Sequence, residues 1–177
     1  QLESTWKWMY EGINRANYLI ENKDKVDFAR KAELYGEVQF LRAYYYFELA
    51  KIFGDVPLFT QSRLTAGDSS TLQRTPVSEV YAQIEADLQA AISALPAAKS
   101  LDGRATSFTA HALLGKVYLY QDKFDEAAGI LEPLVGLYTL VPDLQDVFLT
   151  SGENGSESVF EVQHSKNSNW WDWGFPQ

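Results

Sequence analysis

The residues best equipped for chemistry stand near the end of the chain, at Asn169-Trp170-Trp171-Asp172-Trp173. Three of the chain's five tryptophans fall here, among Asn, Ser, Asp and Gly and with no helical period. What such a cluster offers is recognition. The C–H face of a sugar ring lies flat on an indole, and Asn169 and Asp172 supply the few polar contacts that orient a small ligand. The competing reading is burial, because tryptophan is highly buried on average. The sequence leaves both open, and Asn169, Trp170, Trp171, Asp172 and Trp173 form the candidate ligand-binding set.

Bond-making chemistry finds less to work with. The chain has no Cys, which excludes disulfides, thiolate zinc sites and cysteine nucleophiles. Its two histidines, His111 and His164, are far apart and lack metal-ligand spacing. No metal and no cofactor is expected, and His111 reads as a helix-packing residue. Glycoside hydrolysis needs two carboxylates flanking its substrate, and no pair is marked; Asp172 is the one acid set beside aromatic rings. Gly152-Glu153-Asn154-Gly155 lacks the Lys-Ser/Thr that completes a phosphate loop. No catalytic residue is assigned.

Charge narrows the partners. A formal net charge of −9 argues against nucleic acid, whose binding depends on neutralising phosphates. It argues equally against a basic patch on anionic lipid. No apolar run approaches the 18 residues of a membrane span. The 177 residues suit one domain. The chain begins at Gln1 rather than Met, and an amphipathic pattern follows almost at once, so a fragment of a longer protein is expected.

Periodicity supplies the elements that would position these residues. A first helix is expected from about Glu3 to Asn22, with Met9, Ile13, Ala16 and Ile20 on one stripe. A second runs from about Asp27 to Phe53, and its later half, residues 40–47, is apolar on nearly every face, which implies burial on several sides. Gly54 and Pro57 end it. Residues 60–74 read as a loop. The third helix has Thr75 as its cap, Pro76 at its first position and a stripe from Val77 to Leu95. The fourth starts near Thr106 or Ser107 and carries Ala110, Leu113, Leu114, Val117 and Tyr118. After a tight turn at Gln121-Asp122-Lys123, the fifth carries Phe124, Ala127, Leu131, Leu134 and Val135. Asp143 to Leu149 reads as a short helix and Ser158 to Val162 as a short strand. The class is mostly all-α, with helical hairpins, irregular loops and a little strand near the C-terminus.

The fourth and fifth helices carry a repeat signature. His111, Leu114, Gly115, Tyr118, Ala127 and Leu131 stand at tetratricopeptide offsets. Gly115 and Ala127 are the small residues that let two helices cross closely. The second and third helices form a degenerate copy, with Ala43 and Tyr46 at matching spacing. In the buried-looking second helix, Arg42 reads as the anchor of a hydrogen-bond network with Glu37, Glu48 or a loop carbonyl. Tyr44-Tyr45-Tyr46 reads as core. Trp6 lies near the first helix's stripe and Trp8 off it.

These segments together resemble the SusD/RagB family. The resemblance rests on residues 36–47 followed by Phe53-Gly54-Asp55-Val56-Pro57-Leu58, with four further stretches in the same order. They are Ile13-Asn14-Arg15-Ala16-Asn17, residues 74–81 with Asp87-Leu88 and Leu95-Pro96, Gly103-Arg104-Ala105-Thr106 leading into residues 112–120, and Glu157 to Val162. The resemblance implies a non-enzymatic lipoprotein on the outer face of the outer membrane. It would bind oligosaccharide or polysaccharide (peptide in some branches) and serve a SusC-like TonB-dependent transporter. Residues 1–177 would form a single helical domain of that kind. The lipid-bearing N-terminal segment, the only membrane attachment, and the variable C-terminal part would lie outside this chain. The alternative is a tetratricopeptide scaffold that binds peptide.

Overall fold

The computed structural model describes residues 2–61 and 72–163. Among these residues six α-helices run in order: α1 (Leu2–Glu21), α2 (Lys31–Phe53), α3 (Val77–Ala94), α4 (Ser107–Leu119), α5 (Phe124–Leu131) and α6 (Leu144–Val147). Short 3-10 turns follow α5 at Glu132–Leu134 and α6 at Thr150–Gly152. Each of α1 to α4 packs on the next helix in sequence. Their shared core holds Ile13, Tyr46, Phe47, Leu49, Ile84, Leu88, Leu114 and Val117, all shut off from solvent. Burial of each such side chain stabilises by about 1.5–3 kcal/mol.

Several element ends differ from the sequence pattern, each for a local reason. α2 begins at Lys31 rather than near Asp27, because Arg30 sits in the left-handed region at φ 63°. Thr75 does not cap α3. The first helical N–H, that of Val77, donates instead to Asp55 Oδ1 at 2.8 Å, so a carboxylate from the preceding connection occupies the positive end of the helix. Thr106 does cap α4, exchanging hydrogen bonds with Thr109 in a reciprocal box. α5 ends before Leu134 and Val135. Pro133 has no N–H to continue the ladder, and Val135 is left exposed.

The little strand expected at Ser158 to Val162 does not form. Among the described residues the only β pairing is an isolated antiparallel bridge between Val56 and Thr75. The 158–162 stretch is held by side chains. The Thr109 hydroxyl donates to Val159 O at 3.4 Å, and the Phe160 ring meets Phe40 with centroids 5.7 Å apart.

The α4–α5 hairpin keeps its repeat geometry. Asp122 takes φ 58° in the turn, and Ala127 is buried at the crossing. A methyl group on Gly115 would lie 2.5 Å from Leu131 Cγ. Gly115→Ala is therefore expected to cost about 1–3 kcal/mol through overpacking. Gly129, in α5 with open space where its Cβ would be, is the counter-case: Gly129→Ala is expected to stabilise by about 0.4–1 kcal/mol. Urea unfolding of the two variants checks the pair, and a Gly115→Ala midpoint at or above wild type would show that the helices do not cross closely there.

Candidate functional site

The most organised polar chemistry among the described residues lies at the junction of α1, α2 and α3. Three polar residues occupy positions where each helix's stripe calls for an apolar one. They are Asn17 after Ile13 on α1, Arg42 before Tyr46 on α2, and Asp87 between Ile84 and Leu88 on α3, and all three are buried. Arg42 meets Asp87 as a two-pronged pair, Nε to Oδ2 at 2.7 Å and Nη2 to Oδ1 at 2.6 Å. Its Nη1 donates to Asn17 Oδ1 at 2.8 Å and to Thr60 O at 3.3 Å.

Tyrosines extend this network to the segment after α2. Asn17 Nδ2 donates to Phe59 O at 2.9 Å. The Tyr46 hydroxyl donates to the same carbonyl at 2.7 Å and accepts from Phe59 N at 3.0 Å. Tyr10 donates to Pro57 O at 2.8 Å. Burial pushes the Tyr10 and Tyr46 hydroxyls far above their usual value, so both stay protonated donors. An aromatic stack covers the group: Tyr10 lies parallel to Phe59 at 5.6 Å, and Trp6 meets Phe53 edge-on at 4.9 Å.

The expectation for Arg42 was half right. The loop carbonyl is there, but Glu37 and Glu48 are not partners. Glu48 pairs with Lys51, one helical turn along α2. Glu37 stands 2.8 Å from Arg104, a contact without hydrogen-bond geometry. Asp87 and Asn17 were missed, though a polar residue on an apolar stripe was a legible signal. The tyrosine triplet is also split. Successive helical residues turn by about 100°, so Tyr46 is buried, Tyr45 half-buried, and Tyr44 is 39% exposed. His111 is half-buried on α4, its Nδ1 donating to Ser107 O at 2.7 Å one turn back in the same helix. Trp6 is half-buried and Trp8 exposed.

The candidate ligand set Asn169, Trp170, Trp171, Asp172 and Trp173 lies outside the described residues, as does His164. Among the described residues no group of three or more His, Asp or Glu is placed to hold a metal, and no helix is long and apolar enough to cross a membrane. A groove of about 880 Å³ lies between α2, α4 and the 157–163 stretch. Leu41, Tyr44, Leu113, Phe160 and Val162 give it mostly apolar walls.

The family pattern described as starch-binding associating with outer membrane, a SusD-like pattern, matches residues 1–119. The chain belongs to the SusD-like family. The match takes in α1 to α4 and the whole Arg42 network. SusD-like protein P2 of Formosa agariphila is 29% identical over 167 residues, covering 90% of this chain and 33% of that protein. A laminarin-binding SusD-like protein of known structure is 36% identical with TM-score 0.86, over 97% of this chain and 40% of that one. Surface glycan-binding protein A from Bacteroides thetaiotaomicron, solved with laminarihexaose, is 26% identical with TM-score 0.78, over 90% of this chain and 35% of that one. The chain spans about a third of the length of the curated relatives it matches.

Two outcomes follow from these buried charges in the SusD-like scaffold. Asp87→Ala strands the Arg42 guanidinium and is expected to cost about 3–5 kcal/mol, whereas Arg42→Met/Asp87→Leu costs well under the sum of the single changes. A double-mutant cycle in urea measures this, and additive losses would show that the two groups do not interact. The second concerns pH. Burial pushes the Glu37 carboxyl above its ordinary 4.5, against the pull of Arg104. The folded chain therefore holds that proton more tightly than the unfolded one. The contribution is full below the unfolded value and lost as pH rises through the raised one. Glu37→Gln is expected to flatten this part of the stability profile, and profiles that stay parallel from about pH 4 to 7 would refute it.

Proposed function

We propose that this chain is part of a cell-surface protein that binds glycan without cleaving it and passes the captured oligosaccharide to a SusC-like TonB-dependent transporter. The observation that carries the reading is the 36% identity, over 97% of this chain, to a protein that binds laminarin. A second relative, solved with laminarihexaose, points the same way. The family description supports an outer-membrane setting, with attachment through a lipid on a segment outside these residues.

A laminarin-type β-glucan is the first ligand to try. In this reading Trp170, Trp171 and Trp173 stack on sugar faces, while Asn169 and Asp172 select among hydroxyls. Absence of catalysis is supported by the lack of any marked carboxylate pair in the sequence. The helices carry the loops and present the surface that meets the transporter.

Tryptophan fluorescence tests the proposal on this chain and on a Trp170→Ala/Trp171→Ala/Trp173→Ala variant. Laminarihexaose, a malto-oligosaccharide and an apolar peptide are the titrants. A saturable change with laminarihexaose is expected, lost in the variant while its circular dichroism is unchanged. A response that survives in the variant places the site elsewhere. Saturation by the peptide alone favours a tetratricopeptide-type scaffold, and release of new reducing ends overturns the non-catalytic assignment.

A further inference from the structure

Asn154-Gly155 is the only Asn-Gly step in the chain, and such a step carries a bond-making reaction of its own. Glycine has no side chain to shield its peptide nitrogen, and its backbone turns freely. That nitrogen can therefore reach the side-chain carbon of the preceding asparagine. The Gly155 N–H gives up its proton, and the nitrogen forms a bond to Asn154 Cγ. The Cγ–Nδ2 bond breaks, and ammonia leaves with the proton. Water then opens the five-membered imide at either carbonyl, leaving aspartate or isoaspartate at position 154. No oxidant or reductant is consumed.

The fold holds the reacting groups of that step in place. Asn154 and Gln163 face each other as a reciprocal amide pair. Asn154 Nδ2 donates to Gln163 Oε1, and Gln163 Nε2 donates to Asn154 Oδ1, both at 3.1 Å. The carboxamide under attack is thus pinned by its nitrogen and by its oxygen. The attacking group is held too, because Gly155 N donates to Gly152 O at 3.1 Å. Asn154 itself sits in the left-handed region at φ 55°, with its N–H donating to Glu161 Oε1 at 2.9 Å. Gly103 makes room for the guard. It takes φ 78°, and a Cβ there would lie 2.8 Å from Gln163 Cγ, so the Gln163 stem rests on bare backbone.

We propose that Asn154-Gly155 is a self-modification site that Gln163 keeps latent, and that deamidation there releases the loop from 154 to 163 in one direction only. A carboxylate at 154 has no hydrogen to donate to Gln163 Oε1, so the pair loses one of its two bonds. It also sets a second negative charge beside Glu161, whose carboxyl is held below its usual range by hydrogen bonds from Ser158 and Asn154 N. Isoaspartate adds a carbon to the main chain and shifts the turn's register. The loop cannot close again as it was. This inference stands apart from the reading of the tryptophans, and its test uses no sugar.

Peptide mapping by mass spectrometry follows conversion at Asn154 in the folded chain, in the same chain in urea, and in folded Gln163→Ala. The folded chain is expected to convert about tenfold more slowly than the chain in urea, and Gln163→Ala to recover most of that difference. Equal rates in the folded chain and in urea overturn the proposal. So does a Gln163→Ala rate no faster than that of the folded wild type. Hydrogen exchange reads the release separately, in Gln163→Ala and in Asn154→Asp, which supplies the charge of the product. The Asn154 (or Asp) and Gly155 amides should exchange about tenfold faster than in wild type, with those of α2 and α4 unchanged. Unchanged loop amides overturn the release. Helix amides that quicken as much as the loop amides show that the whole fold has loosened, and they overturn Gln163 as the guard.

Discussion

The Arg42 guanidinium, shut between three helices, is the constraint on which the rest of the arrangement depends. Its contacts join α1 through Asn17, α3 through both oxygens of Asp87, and the segment after α2 through Thr60 O. A buried ion pair is a weak source of net stability, since desolvation offsets much of the attraction. Its force is in what it forbids. Sliding any of the three helices by a turn would leave a charge or an amide buried without a partner, at a cost of several kcal/mol. Apolar packing alone tolerates such shifts far better. The network therefore sets the register that packing leaves loose, and residues 57–60 become part of the helical core.

The same logic explains how the fold carries a connection too long for an ordinary helical repeat. The entropy of closing a loop grows only slowly with its length, provided its two ends are held. They are held here at both sides. Val56 and Thr75 pair as an isolated bridge, with Thr75 N donating to Val56 O at 3.0 Å. Arg74 donates to the carbonyls of Phe53 and Asp55, and Asp55 itself caps α3. The Gly54-Asp55-Val56-Pro57 stretch thus ends one helix and starts the next. Residues 53–58 of the stretch that resembles the family form this junction, after residues 36–47 on α2.

Where apolar positions recurred with a clean period, the elements were legible. The stripes of α1 and α3 and the small residues at the α4–α5 crossing needed no tertiary information. Signals that were present but weak lay in polar residues on those stripes: Asn17 and Asp87 each break an apolar face, but nothing in one dimension says which buried charge they meet. Tyr44-Tyr45-Tyr46 failed differently. A run apolar on every face has no period, so only the packed neighbours show that Tyr46 faces inward while Tyr44 looks out over the groove. The apparent strand at 158–162 has the alternation of a strand but no ladder partner among the described residues, and partners are a property of the fold.

By itself the sequence determined the helical class, the approximate helix spans, the α4–α5 hairpin and the family, because these follow from local periodicity, caps and contiguous residue patterns. The absence of cysteine also excluded thiolate chemistry. The tertiary structure alone decided that Arg42 meets Asp87 and Asn17, that Asp55 rather than Thr75 caps α3, and that α2 and α4 leave an apolar groove between them. The Arg42–Asp87 pair alone joins residues 45 positions apart, and no local propensity encodes which distant group will satisfy a buried charge or cover an apolar face.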